Sequence, residues 1–248
     1  MVSAKHQIST TLLNEARTYT ESIMAMLNKS KSHFHAVNAC CDNLHANGFT
    51  ELKETGSWKL EGGKGYYFRR NNSTICAFLA GAGCGKNPVS AFKIIGCHTD
   101  SPCLKIAPRS KLNTLGYNQV NVMTYGGGLW RTWFDRDLTL AGKIVIQTED
   151  GKLSTRYWNC DHALMKVPSL AIHLDREETF KPNKETHLKP ILAMNIVDQI
   201  FGEGIAKIDD DKFQLDDKHL CTLTSVIADD LKIKRESIID FELNVADS

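Results

Sequence analysis

The chain has 248 residues, 42% hydrophobic and 24% charged, which excludes a disordered tail and a disulfide-stapled miniprotein and leaves room for one large domain or two modest ones. Thirty Lys and Arg against 29 Asp and Glu give a formal charge of +1, so no broad basic face for nucleic acid is expected. No stretch approaches the roughly 20 apolar residues of a membrane helix, and Met1–Gln7 lacks the basic-then-apolar pattern of a secretory signal. The eight cysteines are scattered, with no C-x-x-C pair, which favours reduced thiols in a cytoplasmic setting.

In chain order, Leu12, Ala16, Tyr19, Ile23 and Leu27 fall on one helical stripe, with Ser9 or Thr10 placed to cap it. Phe34, Val37, Cys41 and Leu44 repeat the pattern, stopped by Asn47-Gly48. Both stripes are expected in the core. Tyr66–Phe68 and Ile75–Leu79 flank Asn71-Asn72 and read as a hairpin. Phe92–Cys97 reads as a buried strand whose C-terminal end presents His98-Thr99-Asp100, the end at which α/β sheets bind ligands.

From about residue 104 the pattern turns to strands. Gln119–Met123 alternates as a half-exposed strand should, and Leu138–Gln147 and Leu153–Trp158 bracket the turn pair Asp150-Gly151. Val167–Leu174 is expected to be a further strand, and Ile191–Phe201 and Cys221–Leu231 to be helices. Ile238–Val245 alternates like a strand and runs to Ser248, the pattern expected of a polypeptide cut within a domain. Asp209–Asp211 and Asp216-Asp217 read as solvated surface charge.

Four features invite chemistry. Gly81–Lys86 mimics a phosphate loop but fails twice: Ala80 stands where the first Gly belongs, and Asn87 follows the Lys. Cys97 cannot pair with His98 on a regular strand, because adjacent residues point to opposite faces, and Cys103 has no orienting third group. His98-x-Asp100 differs, since residues two apart on an extended segment share a side. A carboxylate so placed accepts the second N–H of a metal-bound imidazole; a structural histidine is the competing reading. Tyr125–Trp130 and Trp133–Asp137 pack three glycines among aromatics, which suits either a tight turn or ligand contact, and Asp135 and Arg136 could pair locally or across an interface.

G-C-H-T-D-S-P-C-L-K at Gly96–Lys105, Y-G-G-G-L-W at Tyr125–Trp130 and W-F-D-R-D-L-T-L-A-G at Trp133–Gly142 closely resemble aspartyl aminopeptidases of the M18 metallopeptidase family. So do S-H-F-H-A-V at Ser32–Val37, L-A-I-H-L at Leu170–Leu174 and P-I-L-A at Pro190–Ala193. The blocks run in family order and span nearly the whole chain. The resemblance implies a dodecameric cytoplasmic enzyme that uses zinc, two ions in the complete enzyme, to remove N-terminal Asp or Glu from peptides.

For the fold, it implies an α/β class: an incomplete aminopeptidase-type α/β sandwich interrupted by a β-rich dimerisation domain. The expected boundaries are 1–103 for the first part of the catalytic domain, 104–237 for the inserted domain, and 238–248 for a strand returning to the catalytic domain. By the same resemblance, His98 is a zinc ligand and Asp100 its orienting carboxylate in the catalytic machinery. His173 matches a substrate-binding histidine that reaches the partner subunit's active site.

The remaining metal ligands and the catalytic glutamate of the family fall beyond the segment matching Asp247. His98 is then the single ligand of that set within this sequence, whereas a catalytic zinc takes three protein ligands. The expectation is a fragment inactive alone; a catalytically dead short form acting through dimerisation is the alternative.

Overall fold

The structure is a computed structural model, and it describes residues 9–84, 91–176, 179–196 and 215–248. The chain is mixed α/β and divides into two compact units. One comprises Met1–Ser30 and His35–Thr99, the other Lys31–Phe34 and Asp100–Ser248.

In the first unit, helix α1 (Thr10–Lys29) starts where Ser9 Oγ accepts the Leu12 N–H at 3.2 Å. Its apolar stripe is a correction to the sequence reading. Among the described residues no side chain of α1 is buried, and Tyr19 and Leu27 are 72% and 66% exposed. Periodicity built the helix, but nothing described in this unit covers its apolar face.

Helix α2 (His33–Ala46) does enter a core: Val37 and Cys41 are buried in a cluster with Tyr67, lined by Leu44, Phe49 and Ile75. Gly48, with φ +79°, follows the helix as expected. Strand β1 (Thr50–Glu51) runs parallel to β2 (Gly65–Arg70), which pairs antiparallel with β3 (Thr74–Leu79). Asn71 and Asn72 both adopt φ +51° in the connecting turn, a conformation asparagine tolerates better than most residues.

Phe92–Cys97 departs from expectation. It forms no strand, and Ile94 and Ile95 are 86% and 97% exposed. The composition suits a buried strand, but no strand among the described residues pairs with it. The last two residues of the mock phosphate loop, Gly85 and Lys86, lie outside the described residues.

The second unit is a six-stranded antiparallel sheet in the order β7-β6-β9-β4-β5-β8. The strands are β4 (Cys103–Thr114), β5 (Tyr117–Tyr125), β6 (Leu138–Gln147), β7 (Leu153–Asn159), β8 (Ile191–Met194) and β9 (Ile238–Asp247). Buried side chains of β5 alternate as its sequence does, with Asn118, Val120 and Val122 inward. The β6–β7 hairpin turns at Gly151, φ +78°.

Strand β9 lies between β6 and β4, in register with β6 from Leu138↔Asp247 to Ile146↔Ile238. The sequence reading had 238–248 returning to the first domain; its hydrogen bonds instead go to this second sheet. At Gly142 the two strands approach so closely that a Cβ would fall on the Glu242 carbonyl oxygen.

The core joins Leu104, Leu138, Leu140, Ile144, Ile238 and Leu243 to Leu223 and Ile227 of a helix. Among residues 215–237 two α-helices lead to β9: α3 (Leu215–Lys218) and α4 (Cys221–Leu231), the latter as its periodicity predicts. Two further expectations fail. Val167–Leu174 makes only isolated bridges at Met165–Val167 and then turns at residues 172–174. Ile191–Met194 is strand β8, paired with Tyr117–Gln119, in place of the first part of the expected helix; Asn195 and Ile196 are helical, and the rest lies outside the described residues.

Candidate functional site

His98 lies in the first unit, one residue before its end at Thr99, and Asp100 begins the longer segment of the second. His98 is exposed, and the segment it ends is anchored by Thr99, whose Oγ1 donates to the Ser73 carbonyl at 2.7 Å. Asp100 is half-buried and accepts a hydrogen bond from the Tyr125 hydroxyl. That bond raises the phenol pKa, because ionised Tyr125 would lose it and face the carboxylate.

The register explains why these two side chains meet. Tyr125 ends β5 opposite Cys103 at the start of β4, just past Asp100. Gly126 then turns with φ +74°, and a Cβ there would press within 3.3 Å of Pro102 Cγ. The glycine following Tyr125 thus lets the turn fold against Ser101-Pro102, whereas Gly128 gives room to the Trp130 ring. On this geometry Gly126 and Gly128 serve packing, while a Cβ at Gly127 would meet nothing within 4 Å.

Charge extends behind Asp100. Lys105 Nζ sits 4.6 Å from the Tyr125 ring centroid and donates to Glu242 at 2.8 Å. Glu242 also meets Lys143 at 3.7 Å and His33 Nε2 at 3.8 Å. Burial alone would raise the Glu242 pKa, but the Lys105 bond and the surrounding positive charge bring it below the ordinary carboxylate value. Burial, aided by Lys105, lowers His33.

The cysteine reading ends here: burial pushes the Cys103 thiol up to about 11, leaving little thiolate near neutral pH. All eight cysteines are free thiols. Asp135, at φ +59°, accepts from both the backbone N–H and the hydroxyl of Ser169, which holds its carboxyl below the usual range. Arg136 pairs with Asp247 at 2.5 Å. Both residues therefore have local partners.

His173 stands on the exposed turn closed by the Leu174 N–H to the Ala171 carbonyl at 2.8 Å. Leu170, Ile172 and Leu174 beside it are 63%, 72% and 75% exposed.

One cluster escaped the sequence reading. Among the described residues, Cys160, His162 and Asp230 bring ligand atoms within 4.8 Å of one another. The C-x-H spacing at Cys160 was a visible cue; Asp230, 70 residues further on, was not. His98 is an imidazole with a carboxylate two residues on, and a single histidine would give one of the three protein ligands that a catalytic zinc takes.

Comparison with known proteins decides the family. The model described as aminopeptidase I zinc metalloprotease (M18) matches residues 26–248. The chain belongs to the M18 family. An aspartyl aminopeptidase from Aspergillus oryzae is 39% identical over 91% of this chain, and a probable one from Ricinus communis 37% over 94%. These alignments cover 48% and 51% of the relatives, so the chain spans about half the length of the curated proteins it matches.

Among solved structures, the Ape4 and Nbr1 complex determined by cryo-electron microscopy contains a chain with TM-score 0.86 and 34% identity, matching 97% of this chain and 46% of its own. The mApe1 structure from Chaetomium thermophilum gives a TM-score of 0.80 at 27% identity, over 93% of this chain and 51% of its own.

Proposed function

We propose that this M18 chain belongs to a zinc aminopeptidase that removes Asp or Glu from peptide N-termini. The carrying observation is that aspartyl aminopeptidases from organisms as distant as Ricinus and Aspergillus match more than nine-tenths of it. His98 is one metal ligand and Asp100 the carboxylate that orients its imidazole, itself positioned by the Tyr125 hydroxyl. Further ligands come from outside these 248 residues, and two zinc ions complete the centre.

The second unit, with its exposed Leu170–Leu174 turn, serves as the dimerisation domain. His173 on that turn reaches a neighbouring subunit and donates a hydrogen bond to the bound peptide. Apolar side chains around a polar one suit docking onto a second copy. Assembly into a dodecamer and a cytoplasmic location follow the same reading; the S. cerevisiae mApe1 structure is a dodecamer. Among the described residues no helix is long and apolar enough to cross a membrane.

The test is release of the N-terminal residue from a peptide series differing only at that position, using the full-length protein. Asp and Glu peptides should be cleaved far faster than Ala or Leu peptides, and a chelator should stop cleavage. Equal rates across the series, or full activity in the chelator, would refute the reading. A full-length product of this size that cleaves nothing but binds intact subunits would favour the short-form alternative.

A further inference from the structure

Cys160, His162 and Asp230 converge where strand β7 ends and helix α4 closes. We propose that they form a binding site for a borderline-soft divalent ion, Zn2+ by its chemistry, with one coordination position left to water.

The spacing fits. With metal–sulfur and metal–nitrogen bonds of about 2.3 and 2.0 Å, a tetrahedral angle separates the two ligand atoms by about 3.5 Å. Cys160 Sγ lies 3.4 Å from His162 Nδ1 and 3.7 Å from Nε2. Asp161 Oδ1 sits 3.2 Å from Nδ1; with the proton on Nδ1 and donated to that carboxylate, Nε2 is the ligand nitrogen once the exposed ring turns toward an ion on Sγ. A carboxylate behind a metal-binding imidazole is the usual second partner of such a ligand.

The donors are held in place before any ion arrives. Cys160 is 1% exposed; its N–H donates to the Leu140 carbonyl at 3.0 Å. Its own carbonyl accepts from Thr139 Oγ1 at 3.0 Å and Lys31 Nζ at 3.2 Å. Trp158 Nε1 donates to Asp230 Oδ2 at 2.9 Å, orienting the carboxylate while leaving lone pairs on both oxygens. Thiolate, imidazole and carboxylate together favour zinc over magnesium or calcium, which take oxygen ligands.

An independent cue is the position of Asp230. It lies with Asp229 in the last turn of α4, where no basic residue stands. Carboxylates at a helix C-terminus face the negative end of the dipole and are destabilising there. A bound cation removes that penalty and ties α4 to the end of β7.

Co2+ is the probe, added to the metal-free full-length protein. A sulfur-to-cobalt charge-transfer band requires a thiolate ligand, which His98 and a carboxylate cannot supply, and Cys160→Ser tells this thiol from the other seven. The band should saturate with one thiolate-bound ion per chain, bleach on adding Zn2+, and vanish in Cys160→Ser. His162→Asn and Asp230→Asn should each weaken it about tenfold or more. Both are exposed positions, so these two variants carry the test if Cys160→Ser fails to fold. Absence of the band from the unmodified protein, its persistence in Cys160→Ser, or unchanged affinity in both surface variants would each overturn the proposal. Loss of peptidase activity bears only on the family reading, because the band is independent of turnover.

Discussion

His219 should make the second unit acid-sensitive. It is 2% exposed, packed 4.3 Å from the Phe241 ring centroid, with Nδ1 2.7 Å from the buried Ser110 hydroxyl. Burial lowers its pKa from 6.5 to about 4, with Asp240 opposing the shift and Lys218 adding to it. The folded-state value is depressed for a base, so the unfolded chain binds the proton first. Stability is then fully present above the unfolded value and declines as pH falls towards the folded one.

At about pH 4.5 the linkage integral amounts to roughly 2.5 kcal/mol, reduced to nearer 2 by solvent screening. Urea unfolding near pH 7 and near pH 4.5 measures the loss in the unmodified protein and in His219→Gln, which cannot titrate. The unmodified protein should lose about 2 kcal/mol more than the variant. Equal losses, or an imidazole NMR titration with its midpoint near the ordinary histidine value, would refute the reasoning.

Gly142→Ala should destabilise the sheet by about 3 kcal/mol, because the Glu242 carbonyl beneath it belongs to the β6–β9 ladder and cannot turn aside; a change in urea midpoint worth less than about 1 kcal/mol would contradict the close approach. Tyr125→Phe removes the donor to Asp100 and should cut turnover of the full-length enzyme about tenfold with the unfolding midpoint unchanged; undiminished turnover would remove the positioning role. His173→Phe sits on an exposed turn, so it should impair turnover while leaving the melting temperature alone; intact activity would sink the role assigned to it.

Elements whose instructions are local were legible. Asn71-Asn72 and Asp150-Gly151 carry the backbone angles of their own turns, so both hairpins follow from the residues there. Cys221–Leu231 carries a helical stripe that finds the core. Where long-range partners decide, the reading failed. Ile191–Met194 is apolar enough for a helix but pairs with Tyr117–Gln119, a choice made some 70 residues away. Strand β9 alternates regardless of which sheet it joins, and its neighbours β6 and β4 are not written in its own sequence.

The same division holds for the candidate sites. The His98-x-Asp100 motif was visible because its two residues stand only two apart in the chain. Tyr125 entered only through the β4–β5 register, and Asp230 only through the packing of α4 near Trp158. Phe92–Cys97 has the composition of an interior strand and lies exposed; pattern states what a segment is suited to, and burial depends on what arrives to cover it.

The central claim is that His98 holds catalytic zinc in an enzyme acting on acidic N-termini. It is tested most directly by zinc content and Asp-peptide hydrolysis of the full-length protein before and after His98→Asn. The account predicts that the variant folds, loses zinc and hydrolysis together, and keeps the cobalt–thiolate band at Cys160. A folded His98→Asn protein with undiminished zinc and full hydrolysis would contradict it.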